Sequence, residues 1–141
     1  MEFKNKTEKR ALGDLGEDIA CKFLIKKGFD IIERNYWKKW GEIDIIAKKS
    51  NIIHFIEVKS VSREILPDIS LVGQTRETTD IYRPEDNLHP WKLKRLSRVI
   101  QIYLAGKTIS RETDWQFDII TVYINKKDRI SRVFMLENVI L

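Results

Sequence analysis

Two stretches of the chain carry apolar residues at helical spacing. From Ala11 to Lys27 large apolar side chains recur every three or four residues, and Gly28 follows where a helix commonly ends. The same spacing recurs from Trp91 to Ala105, directly after Pro90 and before Gly106. The pattern predicts two helices, each with one apolar face.

Five further segments are rich in β-branched and aromatic residues and predict strands. The first three follow one another with short polar connections, which predicts a β-meander, and the other two follow the second helix. The order α-β-β-β-α-β-β predicts an α/β fold, with a mixed central β-sheet flanked by helices. The predicted strands are Phe29–Tyr36, Glu42–Ala47, Ile52–Lys59, Trp115–Ile124 and Ile130–Met135.

The length of 141 residues fits one domain spanning residues 1–141. Residues 60–90 are polar, hold all three prolines and predict a long loop. Cys21 is the only cysteine, the first residues lack the apolar stretch of a signal peptide, and no apolar run approaches the ~20 residues that cross a bilayer. We therefore expect a cytoplasmic protein with no membrane span.

The overall charge is mildly basic. Lys and Arg number 26 against 21 Asp and Glu, giving a net charge of +5. This balance favours an anionic partner such as nucleic acid, although such an excess more often reflects solubility alone. The chain has no histidine cluster, no second cysteine and no phosphate-binding loop, so it offers no motif for zinc or nucleotide chemistry.

The third predicted strand ends in two charged residues that share a face. Strand side chains alternate between faces, so Glu57 and Lys59 point the same way. Residues 52–56 before them are so apolar that this strand is predicted to be central and covered on both faces. Burying a carboxylate or an ammonium is costly unless the group is paired or bound to a metal ion, so both residues are candidates for function.

Asp44 interrupts the apolar run of the second strand in the same way. If Lys48–Asn51 forms a four-residue loop, Asp44 faces Phe55 and lies diagonal to Glu57. If the loop is the two residues 50–51, Asp44 lies directly opposite Glu57. Both registers place the two carboxylates on one face with Cβ atoms ~5 Å or ~7–8 Å apart, and both spacings are compatible with shared coordination of one ion.

Each predicted helix also turns one charged residue inward. Helical spacing aligns Glu17 with the side of the first apolar stripe, and it aligns Lys92 with Leu96 on the second helix. Structural explanations exist for each residue: a buried Asp44–Lys59 salt bridge, a rim carboxylate and a snorkelling lysine. The coincidence of three inward acids and a lysine favours a divalent-metal site.

Basic side chains in two places are candidates for DNA contact. The tip between the first two strands combines lysines with tryptophans, as single-strand binders do, although an exposed hairpin tip is the commoner explanation. The second helix turns a basic face away from its apolar stripe. The candidate residues are Lys38 and Lys39 at the tip, and Lys94, Arg95 and Arg98 on the helix.

Three motifs in fixed order connect this chain to a known family. Gly16-Glu17, Gly41-Glu42-Ile43-Asp44 and Glu57-Val58-Lys59 resemble the YraN-like predicted endonucleases, and the similarity resumes at Lys92–Leu96 and at Phe117-Asp118. That family is assigned to the PD-(D/E)xK restriction-endonuclease-like superfamily and is similar to archaeal Holliday-junction resolvases. The chain departs from the family in lacking an arginine shortly after Lys59 and in its long 60–90 segment.

The resemblance implies a metal-dependent nuclease that hydrolyses DNA phosphodiester bonds, with branched or damaged DNA as a structure-specific substrate. It implies that Asp44, Glu57, Glu17 and the Val58 carbonyl bind Mg²⁺ or Mn²⁺, that Lys59 is catalytic, and that Lys92 is accessory. The alternatives are a non-catalytic DNA-structure binding module of the same fold and an interaction protein with no nucleic-acid role. A homodimer would suit a branched substrate, but no residue requires one.

Overall fold

The computed structural model describes residues 2–67, 89–107 and 113–141, with side chains from Thr7 onward. It contains a five-stranded mixed sheet with one helix packed on each face, and the elements follow the predicted order, so the predicted α/β fold class is confirmed. The helices are α1 (Glu2–Lys26) and α2 (Pro90–Gly106); the strands are β1 (Asp30–Lys38), β2 (Gly41–Lys49), β3 (Ile52–Ser62), β4 (Asp114–Asn125) and β5 (Ile130–Leu136).

The strands lie in the sheet in chain order, from β1 to β5. The first three strands form the predicted antiparallel meander, β3 and β4 are parallel, and β5 returns antiparallel to β4. Parallel neighbours need a crossover connection, and α2 lies within it. Residues 53–56 of the central strand, which are apolar apart from His54, are all buried, as predicted.

The turn between β2 and β3 decides the register of the predicted metal-binding strands. Lys49 pairs with Ile52, so the turn is the two-residue alternative, and Ser50 and Asn51 both have positive φ angles of 50° and 62°. Two successive positive φ values are typical of the type I′ turn, whose twist matches that of the strands. This register, continued along the strands, sets Asp44 opposite Glu57.

β2 and β3 separate just before these two carboxylates, and this opening is called the fork below. Their pairing ends at Ile45 and Ile56, whereas β2 stays paired to β1 as far as Gly41 and β3 stays paired to β4 as far as Ser62. The fork therefore leaves backbone groups of both strands free to interact with side chains.

Several predicted boundaries were wrong. Helix α1 begins at Glu2 rather than Ala11, and β3 extends to Ser62, which shortens the predicted 60–90 loop at its start. Lys38 is the last residue of β1, so the tip between the first two strands is confined to residues 39–40. Residues 68–88 of the predicted loop lie outside the described residues.

Two hydrophobic clusters cover the two faces of the sheet. On one face α1 buries Ala20 and Leu24 against Ile56, and on the other α2 buries Val99 and Ile100 against residues of β2, β3 and β4. Helix α1 lies close against the sheet at Gly16, where an added Cβ would lie 1.8 Å from the Ser60 hydroxyl oxygen. This contact holds the neighbouring Glu17 near the fork.

Candidate metal centre

Asp44 lies in the fork and bonds a backbone N–H of β3 at a point where β2 and β3 are no longer paired. Its Oδ2 atom accepts a hydrogen bond of 2.8 Å from the backbone N–H of Val58. In a strand the N–H and C=O of one residue point to the same side, so the Val58 carbonyl also faces the fork. A carboxylate and a carbonyl oxygen are thereby directed toward the same opening.

Glu57 is buried and is held by two lysines. Its Oε1 atom lies 3.0 Å from Nζ of Lys92 and 3.3 Å from Nζ of Lys59. Lys59 is two residues away on the same face of β3, whereas Lys92 reaches the site from the first turn of α2. The structure therefore brings together Asp44, Glu57, Lys59 and Lys92, as the sequence predicted.

The charges at the fork are strongly coupled. Burial and the neighbouring charge of Glu57 raise the pKa of Asp44 to about 8, even though the Val58 N–H favours its ionised form. Burial disfavours the ammonium form of Lys59, but its contact with Glu57 and the negative charges of Glu57 and Asp44 raise its pKa above the usual value. The fork thus concentrates negative charge around Asp44 and keeps Lys59 cationic.

Glu17 is hydrogen-bonded to Asn35 of β1, and its role as a metal ligand stays a prediction. The Asn35 amide donates to Glu17 Oε1 at 2.9 Å and to Glu42 Oε1 at 2.7 Å, which joins α1 to the start of β2. Burial raises the pKa of Glu17, and its charge contributes to the raised pKa of Asp44. Glu17 therefore influences Asp44 through its negative charge, and its direct hydrogen-bond partner is Asn35.

Asn35, the partner of Glu17, is a residue for which the sequence predicted no role. Its φ of 53° places it in the left-handed region, which asparagine tolerates better than most residues. An asparagine that interrupts a strand pattern is the only sequence signal for this conformation. Its contact with α1 joins two elements that are far apart in sequence, so the local pattern gives no indication of it.

A buried hydroxyl lies beside Lys59 on the neighbouring strand. Thr121 pairs with Lys59 in the parallel register of β3 and β4, and it is fully buried. Its Oγ1 atom has no hydrogen-bond partner among the residues that the structure describes. Buried polar groups are nearly always satisfied, so this hydroxyl marks a place where a ligand or a water is expected.

A second group of metal-type side chains lies elsewhere on the sheet. His54, Asp118 and Glu137 have potential ligand atoms within 4.8 Å of one another, and they are the one such trio within the described part of the chain. Asp118 is already satisfied, because His54 Nδ1 lies 2.6 Å from one oxygen and the other accepts from Gln116 and from the Asn138 backbone. These bonds give Asp118 a structural role in fixing the C-terminal segment to β4.

The predicted basic residues line one surface beside the fork. Lys94, Arg95 and Arg98 of α2 form a groove of about 450 Å³ together with Trp40. At the tip between β1 and β2, Lys39 lies over the Trp40 ring, whereas Lys38 lies over the Tyr36 ring and outside the groove. The structure therefore joins the basic face of α2 to one of the two predicted tip lysines.

Residues 16–122 match the model of the family described as "Uncharacterised protein family UPF0102". The chain belongs to the UPF0102 family. UPF0102 is the YraN-like group, so the family resemblance found in the motifs is confirmed. The matched residues include the whole fork, from Glu17 on α1 to Thr121 on β4.

Curated UPF0102 proteins match over most of their length. The chain is 41% identical over 110 residues to a UPF0102 protein of Campylobacter jejuni, covering 78% of this chain and 81% of that protein. It is 33% identical to a UPF0102 protein of Caldicellulosiruptor saccharolyticus, covering 92% and 97%. Among solved structures, SfsA of Pyrococcus furiosus in complex with Ca²⁺ is similar with a TM-score of 0.32 and 12% identity, covering 93% of this chain and 64% of that one.

In the described residues of this UPF0102 protein, neither helix is long and apolar enough to cross a bilayer.

Proposed function

We propose that this protein is a divalent-metal-dependent nuclease that hydrolyses DNA phosphodiester bonds at the fork. The observation that carries the proposal is the fork itself, where Asp44 and Glu57 lie in a partly buried site beside two lysines. Structural ion pairs do not require β2 and β3 to separate, nor do they require a carboxylate with a pKa of about 8. Branched or damaged DNA is the substrate class that the family resemblance implies.

The donor atoms at the fork fit Mg²⁺ or Mn²⁺. The ion would be held by carboxylate oxygens of Asp44 and Glu57 and by the carbonyl of Val58, because hard cations prefer oxygen ligands. Glu17 would add negative charge near the ion. Burial and repulsion from Glu57 raise the pKa of Asp44, and a bound cation would offset this repulsion between the two carboxylates. When bound, the ion would polarise the phosphate and lower the pKa of a water.

Lys59 is positioned to act on the attacking water and on the phosphate. Its ammonium stays charged and is fixed 3.3 Å from Glu57, so it can orient a water and stabilise negative charge that develops in the transition state. Lys92 bonds the same Glu57 oxygen at 3.0 Å and so helps to set the direction of that carboxylate. Lys92 is therefore a positioning residue.

Cleavage of DNA tests the proposal directly. Purified protein is incubated with single-stranded, duplex and branched DNA in Mg²⁺ or Mn²⁺, and Lys59→Ala is expected to lower the cleavage rate about 100-fold or more. Lys48→Ala is the matched control, because Lys48 is exposed on the same hairpin and should leave the rate unchanged. The proposal fails if the wild-type protein cuts none of these substrates, or if Lys59→Ala cuts as fast as Lys48→Ala.

One observation favours a non-catalytic DNA-binding module as the second candidate. Two lysines already share one oxygen of Glu57, and this arrangement satisfies the buried charges without any metal ion. Calorimetry separates the two functions. A nuclease should bind Mn²⁺ through Glu57, so Glu57→Gln should abolish the heat of Mn²⁺ binding but keep the affinity for DNA. A non-catalytic module should bind DNA and show no heat of Mn²⁺ binding.

A further inference from the structure

The surface beside the fork combines cations with aromatic rings and carries no acid. Residues 89–107 contain three lysines and two arginines but no aspartate or glutamate, and the tip between β1 and β2 adds Lys39 and Trp40. Trp91 is 59% exposed, and Trp40 lines the groove on α2. We call the set Trp40, Trp91, Lys94, Arg95 and Arg98 the stacking surface.

Arginines and tryptophans on this surface are already stacked in pairs. The Arg98 guanidinium lies 4.4 Å from the centre of the Trp40 ring, and that of Arg95 lies 5.7 Å from the Trp91 ring. Each pair sets a cation beside a flat apolar ring, the combination with which proteins bind the phosphates and the bases of single strands. The two arginines are one helical turn apart, so the two pairs lie next to each other along α2.

The stacking surface leads directly into the fork. Lys92, which bonds Glu57, precedes Arg95 by three residues and therefore lies about one helical turn away along α2. A strand held on the surface would have its next phosphates at the fork. The groove of about 450 Å³ is also within the size range of pockets that hold small ligands, so it has room for a base.

Exposed rings distinguish unpaired bases from duplex DNA. Phosphate contacts by lysine and arginine strengthen binding to any nucleic acid, whereas a base can stack on a tryptophan only when it has left the double helix. We propose that the stacking surface binds an unpaired segment of DNA, so that the substrate class is DNA with a single-stranded segment beside the scissile bond. This assignment of substrate rests on the proposed nuclease function.

Binding measured without divalent metal tests the surface independently of cleavage. Fluorescence anisotropy compares a labelled single strand of roughly 20 nucleotides with the same sequence as a duplex, in EDTA. Trp91→Ala is expected to weaken single-strand binding about 10-fold and to change duplex binding less than about two-fold. Trp40→Phe should retain part of the affinity that Trp40→Ala loses, which guards against loss of folding as the cause.

Trp37→Ala is the matched control. Trp37 is 70% exposed and belongs to the same pair of strands, but it alternates with Tyr36, which packs on the α2 face, and so it points away from the stacking surface. Its removal should leave single-strand affinity unchanged. The proposal is overturned if Trp91→Ala binds single strands like Trp37→Ala, if duplex affinity falls equally, or if single-stranded RNA or anionic vesicles bind more tightly than DNA.

Cleavage assays on the same proteins separate this proposal from the nuclease itself. If the wild type cuts DNA but Trp91→Ala keeps full single-strand affinity, the stacking surface is wrong and the nuclease stands. If no DNA is cut but single-strand affinity depends on Trp91, the nuclease is wrong and the surface remains a single-strand binding site.

Discussion

Asp44 is the residue whose chemistry the fork changes most. It is half-buried beside Glu57, and desolvation and the charge of Glu57 raise its pKa to about 8, far above the 3.8 of a free aspartate. The folded protein therefore holds this proton more tightly than the unfolded chain does. The contribution of Asp44 to the stability of the metal-free protein is therefore greatest below about pH 4 and decreases as the pH rises toward 8.

Asp44→Asn should remove this penalty and stabilise the metal-free protein at high pH. The amide still offers an oxygen to the Val58 N–H but carries no charge. At about pH 8 we expect the free energy of unfolding to increase by about 1–3 kcal/mol, and near pH 4 we expect almost no change. Urea denaturation in EDTA at both pH values measures the difference.

Asp18→Asn serves as the control for this experiment. Asp18 is exposed and paired with Arg34, so its replacement should change the free energy of unfolding by no more than about 1 kcal/mol. An Asp44→Asn protein that is destabilised equally at both pH values would show that Asp44 is ionised and favourably bound in the metal-free fold.

At the scale of elements, one contact between α1 and β3 fixes the position of Glu17. Alanine at position 16 would place its Cβ 1.8 Å from Ser60 Oγ and 2.9 Å from Ser60 Cβ, so the helix or the strand must move. The helical preference of alanine over glycine, about 1 kcal/mol, is smaller than the cost of such overpacking. Glycine at this position therefore serves the close approach of the two elements.

Gly16→Ala is expected to lower the free energy of unfolding by about 1–3 kcal/mol. Adding Ser60→Gly should restore most of the loss, because the nearest remaining Ser60 atom lies at an ordinary 3.7 Å. Gly13→Ala on the same helix has nothing within 4 Å and should be neutral or slightly stabilising. Urea denaturation of the three variants checks this, and equal effects at positions 13 and 16 would contradict it.

The sequence predicts helices and strands well where a buried face requires apolar residues at a regular spacing. Strands β2, β3 and β4 and helix α2 were predicted within a few residues because one or both of their faces are buried. The first nine residues of α1 were missed because Phe3 is the only apolar residue among them, so no stripe forms. The two-residue β2–β3 turn was one of two alternatives, since both registers preserve the alternation of faces.

The candidate site was predictable only as far as local spacing reaches. Face alternation grouped Glu57 with Lys59, and helical phase turned Lys92 inward. Neither pattern can show that Lys92 bonds Glu57, or that Glu17 bonds Asn35. Both contacts depend on how elements that are distant in sequence pack together. The separation of β2 and β3 also has no local signature beyond Asp44 itself.

At the scale of the whole molecule, two groups of side chains compete as the site of a divalent ion. The fork has oxygen donors and a carboxylate, Asp44, whose pKa is raised by burial and by the charge of Glu57, whereas in the His54–Asp118–Glu137 trio both oxygens of Asp118 are already engaged in hydrogen bonds. An ion stabilises the folded state only where it relieves an unfavourable term or finds free ligand atoms. This difference favours the fork.

Thermal unfolding in Mn²⁺ should identify the site that binds the ion. At about 100 times the dissociation constant a bound ion adds about 2.7 kcal/mol, which corresponds to a rise in Tm of several degrees for a domain of this size. Glu57→Gln should abolish the rise, and Glu137→Gln, the matched change in the other group, should retain it. A rise that survives in Glu57→Gln and disappears in Glu137→Gln would place the ion at His54 and Asp118, and the nuclease proposal would then lose its metal centre.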